Sequence, residues 1–464
     1  MSLLLNSHQF LLWSGIVLFV LSSPCSGADT FLPPDPKAPF QVECDPQPEG
    51  QTYRVITWTQ INGVSKGGLH EAPRLTGVAR AVIYGGMEAV TLGAPLIRID
   101  GQTDSMYNRV PLNPDVMCFP VAVFEYPIHG GHQKIEMITS DGAVFTMPSL
   151  KSDARVLGVL GNSGCLNSKD QDCNSGQAWP FSRIAADLAE QEPDLVIHTG
   201  NFRFSKTRCQ LIQCSDNWQN WLAEFFLPAL PLLKKVPVVF VRGVRETCED
   251  GGAGEGWFFL LQPQPIFRSR LNCGTKKGEP GQNWFFDVGL ASARHRFLIL
   301  DSADINNKTA PSSLDLAIKE TLGMAQNAQT ATLITHQPVW AVTGKGEKNR
   351  TSPVLQNALH NELPKNIKLV QSGLVPAHEV IEFGSGQPVQ LVTGNSGVAL
   401  NRKVKKVKSA VWGGQKAKVQ GGSAHGYDLW IRNDKKEVGW ECFSRLITKK
   451  GKKEHWVKTP ALLK

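Results

Sequence analysis

The sequence predicts an α/β protein whose central part is a layered β-sandwich flanked by helices, preceded by a small β-rich domain. Three observations support this prediction. A buried-strand run over residues 156–160 is followed by a loop and an amphipathic helix over 179–191. Strand, loop and helix then alternate towards residue 400. Residues 29–150 instead contain short β-prone runs separated by turn residues, which is typical of a β-rich domain.

The individual elements follow from hydrophobic periodicity. The helix over 179–191 places Phe181, Ile184, Ala185 and Leu188 on one side, the spacing of a helix that buries one face. A second helix is predicted over 217–233. Predicted strands of the central part cover 156–160, 195–198, 236–241, 297–300, 331–335, 368–371 and 389–392. Those of the N-terminal part cover 53–59, 79–84, 120–126 and 143–147.

Length and composition bound the domain organisation. The 464 residues are enough for two or three domains, and 41% hydrophobic content excludes coiled coils, collagen and general disorder. The aromatic content of 8% disfavours a protein that stacks single-stranded nucleic acid on aromatic side chains. We predict a β-rich domain over 29–150, a core domain over 151–400 and a basic extension over 401–464. The extension is interpreted as a linker over 401–422 followed by two strands, at 427–431 and 440–446.

The N-terminus predicts export. Residues 10–21 form an apolar run too short to span a bilayer, and small residues after it lead to a cleavage site behind Ala28. Residues 1–28 are therefore interpreted as a cleaved signal peptide, although a lipoprotein anchor at Cys25 is a rival interpretation. No later stretch is apolar enough to cross a membrane. The expected location is secreted or periplasmic.

The cysteines fit an oxidising compartment. Of ten cysteines, nine follow the predicted leader, so at least one thiol stays free if the others pair. Short separations suggest disulfides Cys165–Cys173, Cys209–Cys214 and Cys248–Cys273.

Positive charge is concentrated in the C-terminal extension. The chain has a formal net charge of +8, whereas residues 401–464 alone contain 17 Lys and Arg against 5 Asp and Glu. Two dense clusters, at 402–408 and 449–453, suit an anionic ligand or a polyanion. The alternative is a solvated linker without a ligand. Nothing in the sequence indicates a protein partner.

Five loops follow the predicted core strands in a recognisable order. They read Gly161-Asn162-Ser163-Gly164, His198-Thr199-Gly200-Asn201, Gly243-Val244-Arg245-Glu246, Thr335-His336-Gln337-Pro338 and Gly373-Leu374-Val375-Pro376. In order and spacing, these loops resemble the motifs of the calcineurin-like metallophosphoesterase family, especially its purple-acid-phosphatase-like branch. The resemblance covers roughly residues 150–400. It implies the fold given above and, in active members, two metal ions such as Fe, Zn or Mn.

Most metal ligands that this family uses are absent from the chain. Matched motif by motif, other residues stand at the ligand positions: Asn162, Asn201, Phe204, Val244, Arg245, Leu374 and Pro376. Only His336 is kept. A two-metal phosphatase needs anionic and imidazole ligands, and an Arg side chain repels a cation. We therefore expect no bound metal cofactor and no phosphoesterase activity.

Two functional hypotheses follow from this degeneracy. In the first, the chain is a pseudoenzyme used for binding, with Arg203, Arg245 and His336 as a candidate anion site. Under the alternative interpretation, both arginines form ion pairs with nearby acidic residues and bind no ligand. In the second hypothesis, the chain is an active phosphoric-ester hydrolase with a rearranged site, built from His198, His336, His378, Glu246 and Asp216.

Overall fold

In the computed structural model, the described part of the chain is discontinuous. It comprises residues 53–65, 74–85, 93–109, 119–166, 171–204, 216–249, 251–264, 273, 283–289, 294–305, 313–344, 353–360, 362–384, 386–433, 439–447 and 455–458. The predicted signal peptide, the pair Cys209–Cys214 and the basic cluster 449–453 lie outside these residues.

Strands dominate the described residues. The first eleven are β1 (Arg54–Val64), β2 (Leu75–Tyr84), β3 (Leu96–Ile99), β4 (Gln102–Ser105), β5 (Tyr107–Asn108), β6 (Val121–His129), β7 (Ile135–Ile138), β8 (Val144–Met147), β9 (Val156–Leu160), β10 (Leu195–His198) and β11 (Val238–Phe240). The others are β12 (Trp284–Val288), β13 (His295–Leu300), β14 (Thr330–Thr335), β15 (Ile367–Ser372), β16 (His378–Phe383), β17 (Val389–Thr393), β18 (Ser409–Trp412), β19 (Gln415–Gly422), β20 (His425–Arg432), β21 (Trp440–Ile447) and β22 (His455–Lys458).

Helices are fewer and shorter. They are α1 (Phe181–Glu190), α2 (Trp218–Trp221), α3 (Leu227–Leu233), α4 (Gly254–Gly256), α5 (Leu314–Ala325) and α6 (Pro353–Leu359). A π-helical turn over Leu222–Phe226 joins α2 to α3, and another, Trp257–Leu261, follows α4. Among the described residues, we find no helix long and apolar enough to cross a membrane.

Two large sheets pack face to face with helices outside them. The larger has the order β22-β21-β20-β9-β10-β11-β1-β2-β6-β5, and the other has the order β12-β13-β14-β15-β17-β16-β19-β18. Side-chain alternation explains the layers: Leu195 and Ile197 belong to the core between the sheets, whereas Val196 faces the helices. Helix α1 buries Phe181, Ile184, Ala185, Leu188 and Ala189. The predicted fold class, a layered sandwich flanked by helices after a β-rich N-terminal region, is confirmed.

Both ends of the described chain contribute strands to the larger sheet. On one side, β1 pairs in parallel with β11, and β2, β6 and β5 follow it. On the other side, β20 pairs antiparallel with β9. The N-terminal region thus shares this sheet with the core, although β4-β3-β7-β8 form a small sheet of their own. The division at residues 150 and 400 stays a prediction.

The prediction of a linker over 401–422 was wrong. A 3-10 turn over Val404–Lys406 leads into the hairpin β18–β19, whose second strand pairs with β16. Val404 and Val407 are buried and anchor the turn. Seven basic side chains and no acidic one occur in this segment, and all seven are exposed: Arg402, Lys403, Lys405, Lys406, Lys408, Lys416 and Lys418. We call them the basic surface.

A buried arginine cluster joins the N-terminal strands to the second π-helical turn. Arg80 on β2 and Arg109 are 0% and 1% exposed, and both donate to Glu125 on β6, at 3.2 and 2.8 Å. Arg80 also donates to the carbonyl oxygen of Leu260, and Arg109 to that of Phe259. Since the last carbonyls of a helix lack partners within it, the two guanidinium groups complete its hydrogen bonding.

The cysteines follow two of the predicted pairings. Disulfides join Cys165 to Cys173 and Cys248 to Cys273. Cys442, buried on β21, is a free thiol. Its burial raises the pKa of the thiol well above its usual range, so it is unreactive at neutral pH.

Candidate functional site

The five loops singled out in the sequence converge at the carboxyl ends of their strands. They follow β9, β10 and β11 in the larger sheet and β14 and β15 in the other. The backbone N–H of Asn162 donates to the carbonyl oxygen of Gly200 at 2.9 Å, and that of Leu374 donates to the carbonyl oxygen of His336 at 3.0 Å. Within each sheet the neighbouring loops are thus hydrogen-bonded to each other, and Nδ2 of Asn162 joins the two sets by donating to the carbonyl oxygen of Gly373. This is the edge where α/β folds place their sites.

Asn162 is the centre of an amide network. Its side chain is fully buried, and Nδ2 lies 2.6, 2.9 and 3.2 Å from the carbonyl oxygens of Gly373, Leu374 and Gly394. Its Oδ1 accepts a hydrogen bond of 2.8 Å from Nδ2 of Asn201. Three oxygens around Nδ2 fix the orientation of the amide, because the flipped form would place oxygen against oxygen.

Asn201 extends the network to the third loop. Its Oδ1 accepts from the backbone N–H of Arg245 at 3.1 Å, so the oxygens of both amides are already used. Asn162 and Asn201 have φ angles of +52° and +60°. These angles lie in the left-handed region, which Asn adopts more readily than most residues. Both asparagines can therefore occupy the tight turns that follow their strands.

Glu246 joins the loop that contains Asn201 to the loop that contains Gly243. Its carboxylate is 0% exposed and accepts the backbone N–H groups of Asn201 (3.0 Å), Phe202 (2.9 Å) and Gly243 (3.0 Å). Burial raises the pKa of this carboxyl group to about 7, although the N–H donors oppose the shift. Glu246 is therefore a positioning residue for the loop backbone.

His336, the residue that the resemblance matches to a metal ligand, has one ring nitrogen without a partner among the described residues. Its Nδ1 donates to the carbonyl oxygen of Thr199 at 2.6 Å, which fixes the tautomer and leaves a lone pair on Nε2. Nε2 is buried and has no hydrogen-bond partner among the residues described. Burial lowers the pKa of the imidazole to about 4, so the ring is neutral at physiological pH.

These residues do not fit a pair of metal ions. The oxygens of Asn162 and Asn201 already accept hydrogen bonds, and the Nδ2 group of Asn162 presents protons where a cation would need a lone pair. Nε2 of His336 is one available nitrogen. Within the described ranges, no group of three His, Cys, Asp or Glu side chains is placed to hold a metal ion.

The remaining altered ligand positions lie around the same loops. Val244, Leu374 and Pro376 are half-buried and bring no metal-binding side chain. The guanidinium of half-buried Arg245 lies over the ring of Phe204, 4.9 Å from its centre. We find no ion pair for Arg245 within the described part of the chain, so its charge is not neutralised there.

Arg203 differs from Arg245. It is 3% exposed, and its Nη1 donates to Asp216 at 2.8 Å, while Nε lies 4.0 Å from Glu224. Asp216 also accepts from Nε1 of Trp221 and from the backbone N–H of Gly256. The charge of Arg203 is thus used inside the protein.

The structure does not assemble the five residues of the rearranged-hydrolase hypothesis into one catalytic group. Nε2 of His198 donates to Ser163 Oγ, because its Nδ1 accepts from the N–H of Gly200. His378 lies elsewhere: its Nε2 is 2.9 Å from Ser444 Oγ and 3.1 Å from Asp428, at the contact of the two sheets. One nitrogen serves both partners, so these three side chains do not form a proton relay.

Sequence reasoning missed the groups that define the network. The acceptors for Asn162 are backbone carbonyl oxygens of Gly373, Leu374 and Gly394, which no side-chain motif reveals. The signal that could have found one of them is the run Thr393-Gly394-Asn395 directly after the strand predicted at 389–392.

Comparisons with solved structures support the fold. A purple acid phosphatase from yellow lupin (Lupinus luteus) seeds is similar with a TM-score of 0.54 and 10% identity, over 87% of this chain and 73% of that chain. The anchor protein of the inner membrane complex of Plasmodium matches with a TM-score of 0.39 and 14% identity, over 66% of this chain and 89% of that chain. A Mycoplasma pneumoniae phosphatase matches with a TM-score of 0.29 and 11% identity, over 66% of this chain and 94% of that chain. No protein family and no curated protein matches the sequence. The chain has a purple-acid-phosphatase-like fold.

Proposed function

We propose that this chain is a non-catalytic member of the metallophosphoesterase-like fold, a scaffold for binding in which no dinuclear metal centre forms. The observation that carries this proposal is the amide network around Asn162, whose protons and occupied oxygens stand where the resemblance implies metal-binding carboxylates. Without a metal there is no activated hydroxide and no Lewis acid for a phosphoryl group.

Export is part of the proposal. The apolar run before residue 28 and two disulfides, Cys165–Cys173 and Cys248–Cys273, both favour an oxidising compartment. Thiol titration of the denatured, unreduced protein is expected to detect Cys442 and few other thiols. Detection of all nine cysteines outside the leader would contradict export.

Catalysis is tested by attempting to repair the site. The unmodified protein is expected to give no hydrolysis of p-nitrophenyl phosphate above a protein-free blank with Fe³⁺, Zn²⁺ or Mn²⁺ added. A variant that restores the family's ligands at all matched positions is the positive comparison: N162D, N201D, F204Y, V244N, R245H, L374H and P376H. Metal-dependent turnover by the unmodified protein, or two metal ions per chain retained through purification, would overturn the proposal.

We propose Arg245 as the main group for a small anion at this site. Its charge has no ion-pair partner among the described residues, whereas Asp216 neutralises Arg203 and His336 is uncharged. Inorganic phosphate is expected to stabilise the protein against heat by mass action, about 2.7 kcal/mol at a hundredfold excess over Kd. R245Q should abolish this stabilisation. Equal stabilisation of R245Q, or none in the unmodified protein, would refute the anion site.

The basic surface supports a second binding function, for a linear polyanion. Seven exposed cations lie on this turn and hairpin, whose segment contains no acidic residue, and among the described residues only Lys418 approaches an acid, Glu382 at 3.9 Å. Asn401 ties the start of this surface to the candidate site, because its N–H donates to the carbonyl oxygen of Pro376 at 2.8 Å. A polyanion bound here would gain affinity from released counterions.

Heparin affinity chromatography at graded salt tests the basic surface. The variant K403Q/K405Q/K406Q/K408Q should elute at lower salt, with the slope of log K against log salt reduced by up to about one unit per lost contact. The matched control R183Q/K234Q/K235Q/K319Q removes four exposed charges from other positions. Equal losses in the two variants would show a net-charge effect and refute a local surface.

A further inference from the structure

A tight turn brings two histidines face to face far from the candidate site in the sequence. His129 ends β6, and His132 follows after Gly130 and Gly131. The two imidazole rings are 4.0 Å apart between centres, with planes inclined by 33°. We call residues 129–132 the histidine turn.

The backbone of this turn requires a glycine at position 131 and is closely packed at Gly130. Gly131 has a φ angle of +110°, in the region that side-chain-bearing residues avoid. A Cβ atom at Gly130 would lie 2.4 Å from Oγ of Ser152. The chain therefore reverses its direction between His129 and His132, and this reversal brings the two rings together.

The hydrogen bonds of the turn fix the tautomer of both rings. Nδ1 of His129 lies 3.2 Å from the carbonyl oxygen of Gly130, and Nδ1 of His132 lies 3.3 Å from a carboxylate oxygen of Asp100. Both partners accept, so both Nδ1 atoms carry the proton and both Nε2 atoms keep a lone pair. Histidines that bind metals almost always donate their other N–H to a carboxylate or a backbone carbonyl in this manner.

Asp100 is itself held in place. It lies in the tight turn between β3 and β4 with a φ angle of +50°, followed by Gly101 at +89°. Its Oδ1 accepts the backbone N–H groups of Gln133 and Lys134, both at 2.9 Å. These two N–H groups fix the orientation of the carboxylate, which leaves its other oxygen directed at His132.

We propose that the histidine turn binds a divalent transition-metal ion, Zn²⁺ or Cu²⁺, through Nε2 of His129 and Nε2 of His132. Imidazole nitrogen suits these ions, and with Zn–N bonds of about 2.0–2.1 Å the two rings have to turn apart so that both Nε2 atoms converge on the ion. His129 is exposed and the His132 side chain is 19% exposed, so the ion can enter from solvent. Asp100 is a positioning residue, since it orients the ring of His132.

The site offers two protein ligands, which sets its character. The described residues contain no group of three potential ligand side chains suited to a metal ion, so water or a donor from another molecule completes the coordination. We therefore expect binding weaker than at a structural zinc site, and tighter for Cu²⁺ than for Zn²⁺.

Calorimetric titration of the full chain with ZnCl₂, and separately with CuSO₄, tests the inference at pH 7.5. One ion should bind per chain, and H129Q/H132Q should abolish this event. D100N should weaken it about 10- to 100-fold, the effect usual for the loss of a group that orients a metal-bound histidine. The matched control H425Q removes a histidine that lies elsewhere and donates to the carbonyl oxygen of Val398.

Electron paramagnetic resonance of the Cu²⁺ complex gives a second measurement. Two coordinated nitrogens are expected in the unmodified protein and none from this site in H129Q/H132Q. Absence of binding, or binding unchanged in H129Q/H132Q, would overturn the proposal. Unchanged affinity in D100N would overturn the positioning role of Asp100. Because the variants lie outside the candidate site, failure here leaves the proposed absence of a dinuclear centre untouched.

Discussion

The candidate site and the arginine cluster are both buried and polar, but neutral amide groups connect the first and charged groups connect the second. At the candidate site, the neutral amides of Asn162 and Asn201 hydrogen-bond to each other, and the carboxylate of Glu246 accepts backbone N–H groups of the same loops. In the arginine cluster, two guanidinium groups share the carboxylate of Glu125. The loops of the first region are joined by neutral amide groups, whereas the elements of the second region are joined by an ion pair.

This difference shows what each region can tolerate. A buried charge needs a partner, so loss of one member of the arginine cluster leaves an uncompensated ion. The amide network needs donors and acceptors in the right places, so a new charge there is the disturbing change. Four substitutions, taken from the largest expected effect to the smallest, test this contrast.

The largest effect is expected for E125Q. It leaves Arg80 and Arg109 buried without their anion, and breaking a buried ion pair costs about 3–5 kcal/mol. Urea unfolding monitored by circular dichroism measures the loss. E136Q is the matched control, because the ion-pair partners Arg98 and Lys134 are 37% and 64% exposed, and should cost under about 1 kcal/mol. Similar losses for the two variants would contradict the contrast.

N162D should follow at roughly 3 kcal/mol near neutral pH. It replaces a donor by a carboxylate oxygen against three carbonyl oxygens, so hydrogen bonds are lost and a charge is left unsatisfied. Urea unfolding at pH 7.5 and pH 4 should show a smaller loss in acid, where the new group is protonated and can donate. A pH-independent loss would mean that charge is not the cause.

E246Q should change how stability depends on pH. The folded-state pKa of about 7 lies above the ordinary value of 4.5, so the folded state holds the proton more tightly than the unfolded state. Stability from this group is complete below pH 4.5 and is lost as pH rises to about 7, about 3 kcal/mol in all. Subtracting the unfolding free energies of E246Q from those of the unmodified protein isolates this slope, and a flat difference would contradict it.

H336N should have the smallest effect, about 1 kcal/mol or less. The asparagine amide can replace Nδ1 as donor to the carbonyl oxygen of Thr199, and Nε2 has no described partner to lose. Thermal unfolding measures the change. A loss as large as that of E125Q would show that the retained histidine is a main support of the loops.

The core elements were predictable because their patterns are local. The run Val156–Leu160 and the 3.6-residue spacing of Phe181, Ile184 and Leu188 each identify an element without knowledge of its neighbours. The order of the loops also indicated which strand ends meet. The fold class could therefore be predicted, and the loops of the candidate site with it.

The rest depends on contacts between distant segments. Pairing of β1 with β11 joins Gln60 to Val238, and no local pattern specifies such a partner. Arg80 lies among apolar residues of β2, and only the strand β6 and the π-helical turn show why a buried cation is stable there. The linker prediction for 401–422 was wrong for a related reason. Its many lysines are typical of a solvated segment, but the buried side chains of Val404 and Val407 hold the segment against the sheet.

The pairing of β20 with β9 has a consequence for biosynthesis. Val159 meets its partner Asp428 only after the 268 residues between them have been made, so the edge of β9 stays open while the ribosome continues. At about 5–20 residues per second, the delay is roughly 15 to 50 s. An unpaired strand edge of this kind can pair with other chains, so β9 is open to intermolecular pairing until β20 docks on it.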